Sequence, residues 1–432
     1  MKFVSTRGQA APATLSEAIR NGAAPDGGLY MPEALPRPGP RPRGETLRDF
    51  AAEMLAPFFE GDRLESELEA ICAEAFDFPV PLVVGDPARP NFQVLELFHG
   101  PTGAFKDFGA RFLMACFDRI GDPSNPLTVL AATSGDTGGA VGCAAEGREA
   151  VRAMILYPKG RVSAFQELQL TCWDEPVQAL EVEGDFDDCQ RLVKAAFANP
   201  ELSAAHRLTS ANSINIGRLL PQMAYIAFAA SRAFAESGVE PGFLIPTGNL
   251  GHGFAAVYAR ALGFPVGPIT LVTNANRTLA DWHGSGDYSP RASLATIANA
   301  MDVGTPSNFE RLVHLAPEQR VLDVQLVDDD TIRARVQAEY RANGYIWCPH
   351  SATAAEAYAR LSDEQRAERP WIAAATAHPY KFADAVEPLI GIRIEAPPAL
   401  EAILERKADK TSIPAELSAL AEALKEQKLE VV

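Results

Sequence analysis

The sequence predicts an α/β fold, a mostly parallel sheet covered on both faces by helices. Between residues 128 and 273, short apolar runs alternate with stretches of helical periodicity. Each apolar run ends in a polar or Gly-rich turn that opens a helix, so these turns belong at the carboxyl ends of strands, where ligands collect in such folds. Hydrophobic residues make up 47% of the 432 positions and charged residues 22%, the balance of a globular chain long enough for about two or three domains.

Residues 15–21 read as a short helix closed by Gly22, and residues 29–31, after the turn-rich 24–28, as either a small strand or a loop. Pro36, Pro38, Pro40 and Pro42 exclude a regular helix or central strand up to Gly44, which leaves a surface connector. Residues 47–59 and 64–76 read as amphipathic helices, and 92–97 as a strand. The alternating region supplies strands at 128–132, 153–157, 177–182, 243–246 and 269–273, with helices at 140–145, 163–172, 185–197, 219–235 and 253–262. Past Asn274 the pattern loosens, and 282–308 is rich in Gly, Ser and Pro. Asp328, Asp329 and Asp330 then offer a cap and first-turn acids for a helix to about Asn343. Residues 349–353 open another helix, 371–379 read as a last strand with a polar end, and the tail from Pro397 is helical and charged, with no chemistry assigned to it.

A net charge of −17 argues against nucleic acid or an anionic membrane as partner, since either needs a basic face, and an anionic ligand needs a local positive site. The cysteines at 72, 116, 143, 172, 189 and 348 form no C-x-x-C pair, which argues against a zinc site or a disulfide framework and for a reducing compartment. With no secretory apolar region and no apolar run of membrane-spanning length, a cytoplasmic protein is expected.

The stretch from His99 to Arg111 holds the most informative lysine. Gly100, Pro101 and Gly103 are turn residues, and Phe105, Phe108, Phe112, Cys116 and Ile120 follow at helical spacing, which puts Lys106 in a first helical turn. There the helix dipole disfavours the ammonium form and burial adds to that, so Lys106 is either a nucleophilic neutral amine or one more solvated lysine. Residues 248–253 have the order G-x-x-G-x-G rather than the dinucleotide fingerprint, and no G-K-[ST] occurs. The run is either an ordinary tight turn or a helix start whose N–H groups hold a phosphate. Thr133, Ser134 and Thr137 give a similar turn suited to a carboxylate, while Asp136 between them suits a hydroxyl or a cationic ring. A reactive lysine plus a phosphate cup points to pyridoxal phosphate.

These stretches, with Ala211-Asn212-Ser213-Ile214-Asn215 and Arg218, Asn299-Ala300-Met301-Asp302-Val303, Thr376-Ala377-His378-Pro379 and Gly27-Gly28-Leu29-Tyr30-Met31-Pro32, resemble those of the bacterial and fungal threonine synthases over most of the chain. The resemblance implies a fold type II pyridoxal-phosphate enzyme: two open, mostly parallel sheets covered by helices, similar to the tryptophan synthase β-subunit, with an N-terminal extension. It implies a family-specific segment at 1–95, a region at 96–235 with the Schiff-base lysine and substrate loops, and a region at 236–432 that binds the cofactor's phosphate and pyridine ring and ends in helices.

By resemblance, Lys106 is the Schiff-base and proton-transfer lysine. Gly248, Asn249, Leu250, Gly251 and His252 hold the cofactor phosphate, Thr376 bonds the pyridine nitrogen, and Asp136 lies near the cofactor 3′ oxygen. Thr133, Ser134, Gly135 and Thr137 bind the substrate carboxylate; Asn212, Ser213 and Arg218 bind its phosphate. Arg111 is read as pairing with an acid, and His99, His252, His350 and His378 as packing or capping, with His378 supporting Thr376. The implied reaction converts O-phospho-L-homoserine and water to L-threonine and phosphate, without a metal, in a monomer or homodimer. Two other readings stay open: a related lyase that releases 2-oxobutyrate, and a non-catalytic homologue that binds pyridoxal phosphate.

Overall fold

A computed structural model of the chain describes residues 1–36, 42–133 and 135–429, without the side chains of 427–429. Ser134 and residues 37–41 of the proline-rich connector lie outside the described residues. The strands are β1 (Phe3–Ser5), β2 (Tyr30–Pro32), β3 (Leu82–Val84), β4 (Phe92–Glu96), β5 (Leu127–Ala132), β6 (Val151–Pro158) and β7 (Val177–Glu183). They continue with β8 (Leu208–Ser210), β9 (Gly242–Pro246), β10 (Ile269–Thr273), β11 (Asp323–Leu326), β12 (Trp371–Ala375) and β13 (Thr411–Pro414).

These strands form two large sheets, where alternation alone predicts one. The first has the order β11-β10-β9-β12-β4-β3, parallel except for the antiparallel edge strand β3. The second has the order β13-β7-β6-β5-β8 and is parallel throughout. Alternation reports how strands are connected and says nothing of which strands pair. Thus β4 pairs with β12 from the far end of the chain, Phe92 opposite Trp371 through Glu96 opposite Ala375. Strands β1 and β2 make a separate antiparallel ribbon.

Other differences have local causes. Strands β1, β3, β8, β11 and β13 are too short, at three or four residues, to display alternation. The tail is therefore not wholly helical, because β13 interrupts it and pairs with β7. The helix expected at 64–76 divides into a 3-10 turn, Glu65–Glu67, and a helix, Leu68–Ala75. Two helices begin earlier than their periodicity indicates: Asp136–Ala145 and Ile216–Ser237 carry Asp136, Thr137 and Arg218 into their first turns. In the first of these, glycines that resemble turn residues are helical because packing demands them. A Cβ at Gly138 would stand 2.4 Å from Leu170 Cδ2, and one at Gly142 2.2 Å from Trp173 Cδ1. That outweighs a propensity cost of about 1 kcal/mol per glycine.

The helix Lys106–Ile120 lies in the largest core cluster, with Phe108, Phe112 and Cys116 fully buried. Its Phe108 ring sits 4.7 Å from Phe78 and 5.0 Å from Tyr225, and Phe76 stacks on Phe112 at 6.0 Å. Each buried ring contributes about 2 kcal/mol, so the N-terminal segment and the Ile216–Ser237 helix clamp the lysine helix from two sides. Among the described residues no helix is long and apolar enough to cross a membrane.

Candidate active site

Lys106, the 247–250 turn and Thr376 follow β4, β9 and β12, which are neighbours in the first sheet. Thr133 and Gly135 follow β5 and the 211–215 loop follows β8, neighbours in the second. Chemistry-bearing residues thus gather at the carboxyl ends of both sheets.

The lysine loop is tied down on two sides. Gly103 turns it with φ +67°, a conformation that costs other residues strain. Buried Asp107 receives hydrogen bonds from Thr102 N (2.9 Å) and Thr102 Oγ1 (2.6 Å), which pins the turn onto the helix start. The loop is also stapled to the end of β12: Phe105 N donates to Thr376 O (2.8 Å), His378 N donates to Gly103 O (2.9 Å), and Ala104 bridges Ala377. Lys106 is then the first helical residue. Among the described residues its Nζ makes no hydrogen bond or ion pair; the Phe105 ring centroid lies 5.6 Å away. Its pKa is lowered to about 8, chiefly by burial, against the opposing carboxylate of Asp136 and with the help of the Arg218 and Lys381 charges.

Thr376 is buried, and its Oγ1 lies 3.3 Å from Ser351 Oγ, which accepts Thr376 N at 2.8 Å. Next to Ser351, His350 Nε2 accepts a bond from Ala300 N (3.0 Å), which places the ring proton on Nδ1. Burial holds His350 neutral, its pKa lowered to about 4. His378 Nδ1 accepts Tyr380 N (3.2 Å) and so caps a 3-10 turn, and His99 Nε2 bonds Glu96 (2.7 Å). Burial lowers His252 to about 3, and its ring stacks on Phe105 at 4.7 Å. The four histidines therefore pack or cap. Arg111 pairs with Asp77 at 2.7 Å.

The 247–250 turn leads from β9 into a helix. Leu250 has φ +63°, unusual for a side chain of that size, and precedes the helix Gly251–Ala261. The backbone N–H groups of Gly248, Asn249, Leu250, Gly251, His252 and Gly253 donate to nothing among the described residues. Such a row at a helix N-terminus suits a phosphate. Gly248 must be small, since a Cβ there would stand 2.8 Å from Met301 Cα. Asn249 Nδ2 donates to Ser213 Oγ (2.6 Å), and Asn308 Nδ2 donates to the same oxygen (3.2 Å). With both lone pairs engaged, the Ser213 hydroxyl proton is free for another acceptor.

In the second sheet's turns, Thr133 Oγ1 accepts Gly135 N and Gly138 N (both 3.0 Å) and donates to Gly135 O (3.1 Å). Thr133 thus shapes the turn, and Gly135, at φ +142°, lets the N–H groups of Asp136 and Thr137 face outward unbonded among the described residues. Asn212 has no side-chain hydrogen bond among the described residues. Arg218 is 4% exposed, donates from Nη1 to Ala211 O (2.5 Å), and leaves Nε without a partner. Burial lowers its pKa to about 10, and no carboxylate reaches it within 4 Å among the described residues.

Five further residues near the site have no role assigned from sequence alone, although Asp107 lies in the stretch from His99 to Arg111 and Ser351 in residues 349–353. Asp107 and Ser351 act as above, and Lys381 pairs with Asp136. Arg311 is fully buried; it donates to Asn308 Oδ1 (2.6 Å), Ile214 O (2.6 Å), Ser213 O (3.3 Å) and Tyr30 O (3.3 Å). Arg311 and Asn308 thereby lock the N-terminal segment to the 211–215 loop. Asp107, an acid in a first helical turn, is the one of the five whose position the sequence signals.

This donor set fits pyridoxal phosphate: a free N–H row for its phosphate, an unpaired lysine for its aldehyde and a hydroxyl for its ring nitrogen. Comparison with known proteins agrees. Residues 91–425 match the family profile "Pyridoxal-phosphate dependent enzyme", and residues 2–76 match "Threonine synthase N terminus". Threonine synthase of Haemophilus influenzae is 37% identical over 397 residues, 90% of this chain and 91% of that one. The PLP-bound threonine synthase structure from Brucella melitensis matches with TM-score 0.90 and 34% identity, covering 99% of both chains. The Escherichia coli threonine synthase structure matches with TM-score 0.88 and 33% identity, covering 99% of this chain and 100% of that one. The chain belongs to the threonine synthase family of pyridoxal-phosphate-dependent enzymes.

Proposed function

We propose that this chain converts O-phospho-L-homoserine and water to L-threonine and phosphate at the carboxyl ends of its two sheets, with Lys106 as the acting base. The observation that carries the reading is a free lysine set beside two anion-binding groups, the 248–253 N–H row and the Asn212, Ser213 and Arg218 cluster. A substrate with a phosphate of its own needs the second group in addition to the first. Pyridoxal phosphate, when bound, supplies an aldehyde that condenses with amines and a ring that withdraws electrons from the substrate α-carbon.

The roles divide as follows. Gly248, Asn249, Leu250, Gly251 and His252 hold the cofactor phosphate, Thr376 the pyridine nitrogen, and Asp136 faces the 3′ oxygen. Gly135 and Thr137, together with Ser134, bind the substrate carboxylate, and Thr133 holds Gly135 and Gly138 in place. Asn212, Ser213 and Arg218 fix the γ-phosphate, Arg218 through a guanidinium suited to two oxygens at once. With the cofactor bound, Lys106 would remove the α-proton and then a β-proton as phosphate leaves the γ-carbon, and would return a proton to the γ-carbon and, once water has added at the β-carbon, to the α-carbon. Holding the phosphate still while protons are moved at neighbouring carbons is a positioning task, which favours rigid, buried groups such as Arg218.

Regions 1–95, 96–235 and 236–432 each contribute, the first through Tyr30 and its bonds to Arg311. The six unpaired cysteines support a cytoplasmic setting.

Incubating the holoenzyme with O-phospho-L-homoserine and measuring threonine, phosphate and 2-oxobutyrate together tests the reading. Threonine and phosphate are expected in equal amounts; 2-oxobutyrate in place of threonine would assign the chain to the lyase reaction instead. The cup has its own test: Gly248→Ala is expected to raise the dissociation constant for pyridoxal phosphate about tenfold or more, because Met301 backbone cannot yield to a Cβ. An absorbance titration of the cofactor-free chain measures this, and unchanged affinity would remove Gly248 from the cup.

A further inference from the structure

A second buried lysine faces the site. Lys381 lies on the 3-10 turn Pro379–Phe382, just beyond β12, and is 1% exposed. Its Nζ donates to Thr102 O (2.8 Å) in the lysine loop and to the Gln169 side-chain oxygen on the helix Ala164–Thr171, and lies 3.3 Å from Asp136 Oδ1. One ammonium therefore joins the lysine loop, borne by the first sheet, to two helices of the second. Asp136 also accepts Gln166 Nε2 at 3.4 Å, and Lys381 is its only ion-pair partner within 4 Å among the described residues. The charged and titratable groups that face Lys381 are Asp136, Asp107, Lys106, His350 and His378, the two imidazoles being neutral.

We propose that Lys381 is a positioning residue that acts on Lys106 through Asp136: by pairing with this carboxylate it sets the pH at which Lys106 becomes a free amine. The inference rests on the reading of Lys106 as the reactive amine. Asp136 lies 3.3 Å from Lys381 Nζ, and its charge raises the pKa of Lys106; in a water-poor site such charges are weakly screened. With Lys381 present, its positive charge offsets the carboxylate, and Lys106 loses its proton at lower pH. Without Lys381, Asp136 stabilises the Lys106 ammonium alone. Without Asp136, two ammonium groups and Arg218 repel one another, and Lys106 loses its proton more readily still.

The test follows the reaction of Lys106 with trace acetic anhydride against pH, using the full-length chain freed of cofactor and mass spectrometry of the Lys106 peptide. The wild-type midpoint is expected near pH 8. Lys381→Met is expected to raise it by about one pH unit, Asp136→Asn to lower it by a similar amount, and the double variant to return it close to wild type. Lys381→Arg, which keeps the charge, is expected to keep the wild-type midpoint, and the visible band of the holoenzyme is expected to titrate differently in the Met and Asn variants. A purely structural role would change melting temperature without these opposite shifts. An unchanged midpoint in Lys381→Met, or a shift in the same direction as Asp136→Asn, overturns the proposal. Should Lys381→Met fail to fold, an unchanged midpoint in Asp136→Asn overturns it. Neither outcome depends on which product the enzyme forms, so failure here is distinct from failure of the threonine reading.

Discussion

Lys106→Ala is expected to lower kcat by about 10⁴-fold or more and to abolish the visible absorbance of the lysine-bound cofactor, with the chain still folded. The size follows from the loss of two functions at once, the covalent attachment and the proton carrier. Folding survives because Lys106 makes no hydrogen bond or ion pair among the described residues. The variant also carries a pH signature in the cofactor-free protein. The folded chain releases the Lys106 proton near pH 8, whereas an unfolded lysine keeps it to about 10.5. Between those values the unfolded state binds more protons, so stability contributed at this site rises with pH. Wild type should therefore gain stability relative to Lys106→Ala as pH increases through that window, measured by urea unfolding. A constant difference would mean that the amine titrates normally.

Arg218→Gln is expected to lower kcat/KM for O-phospho-L-homoserine by about 10²- to 10³-fold, the scale for losing one buried donor to a group whose charge develops in the reaction. Stability should move little. Arg218 is a buried cation with no carboxylate partner, so removing its charge relieves a desolvation cost that offsets the lost bond to Ala211 O. The expected pattern is therefore a large kinetic loss with a nearly unchanged melting temperature. A parallel loss of both would make Arg218 a structural residue, held for Gly109 and the lysine helix it touches.

The fold and the site were legible to different depths, for physical reasons. Long elements with a steady period, such as Leu47–Phe59 and Ile269–Thr273, carry their own signal. The two-sheet division does not, because pairing is a tertiary choice that local periodicity leaves open. Lys106 was legible through the turn residues before it and the apolar stripe after it. The cause of its low pKa was only partly so: the helix start argues for depression, yet burial is the leading cause, helped by the positive charges of Arg218 and Lys381 and opposed by the carboxylate of Asp136, all on distant parts of the chain. The same limit hid Arg311 and Asn308, whose roles arise from meeting Tyr30, Ser213 and Asn249 in space. Thr133 shows the converse. Its hydroxyl reads as a ligand donor but is fully used in holding its own turn.

Reduction of the holoenzyme with borohydride, which fixes the cofactor to the lysine that bears it, tests the central claim most directly, because two buried lysines face the same carboxylate. Peptide mapping is expected to find the label on Lys106, at the start of the helix Lys106–Ile120. Label on Lys381, or on neither lysine, would contradict the account.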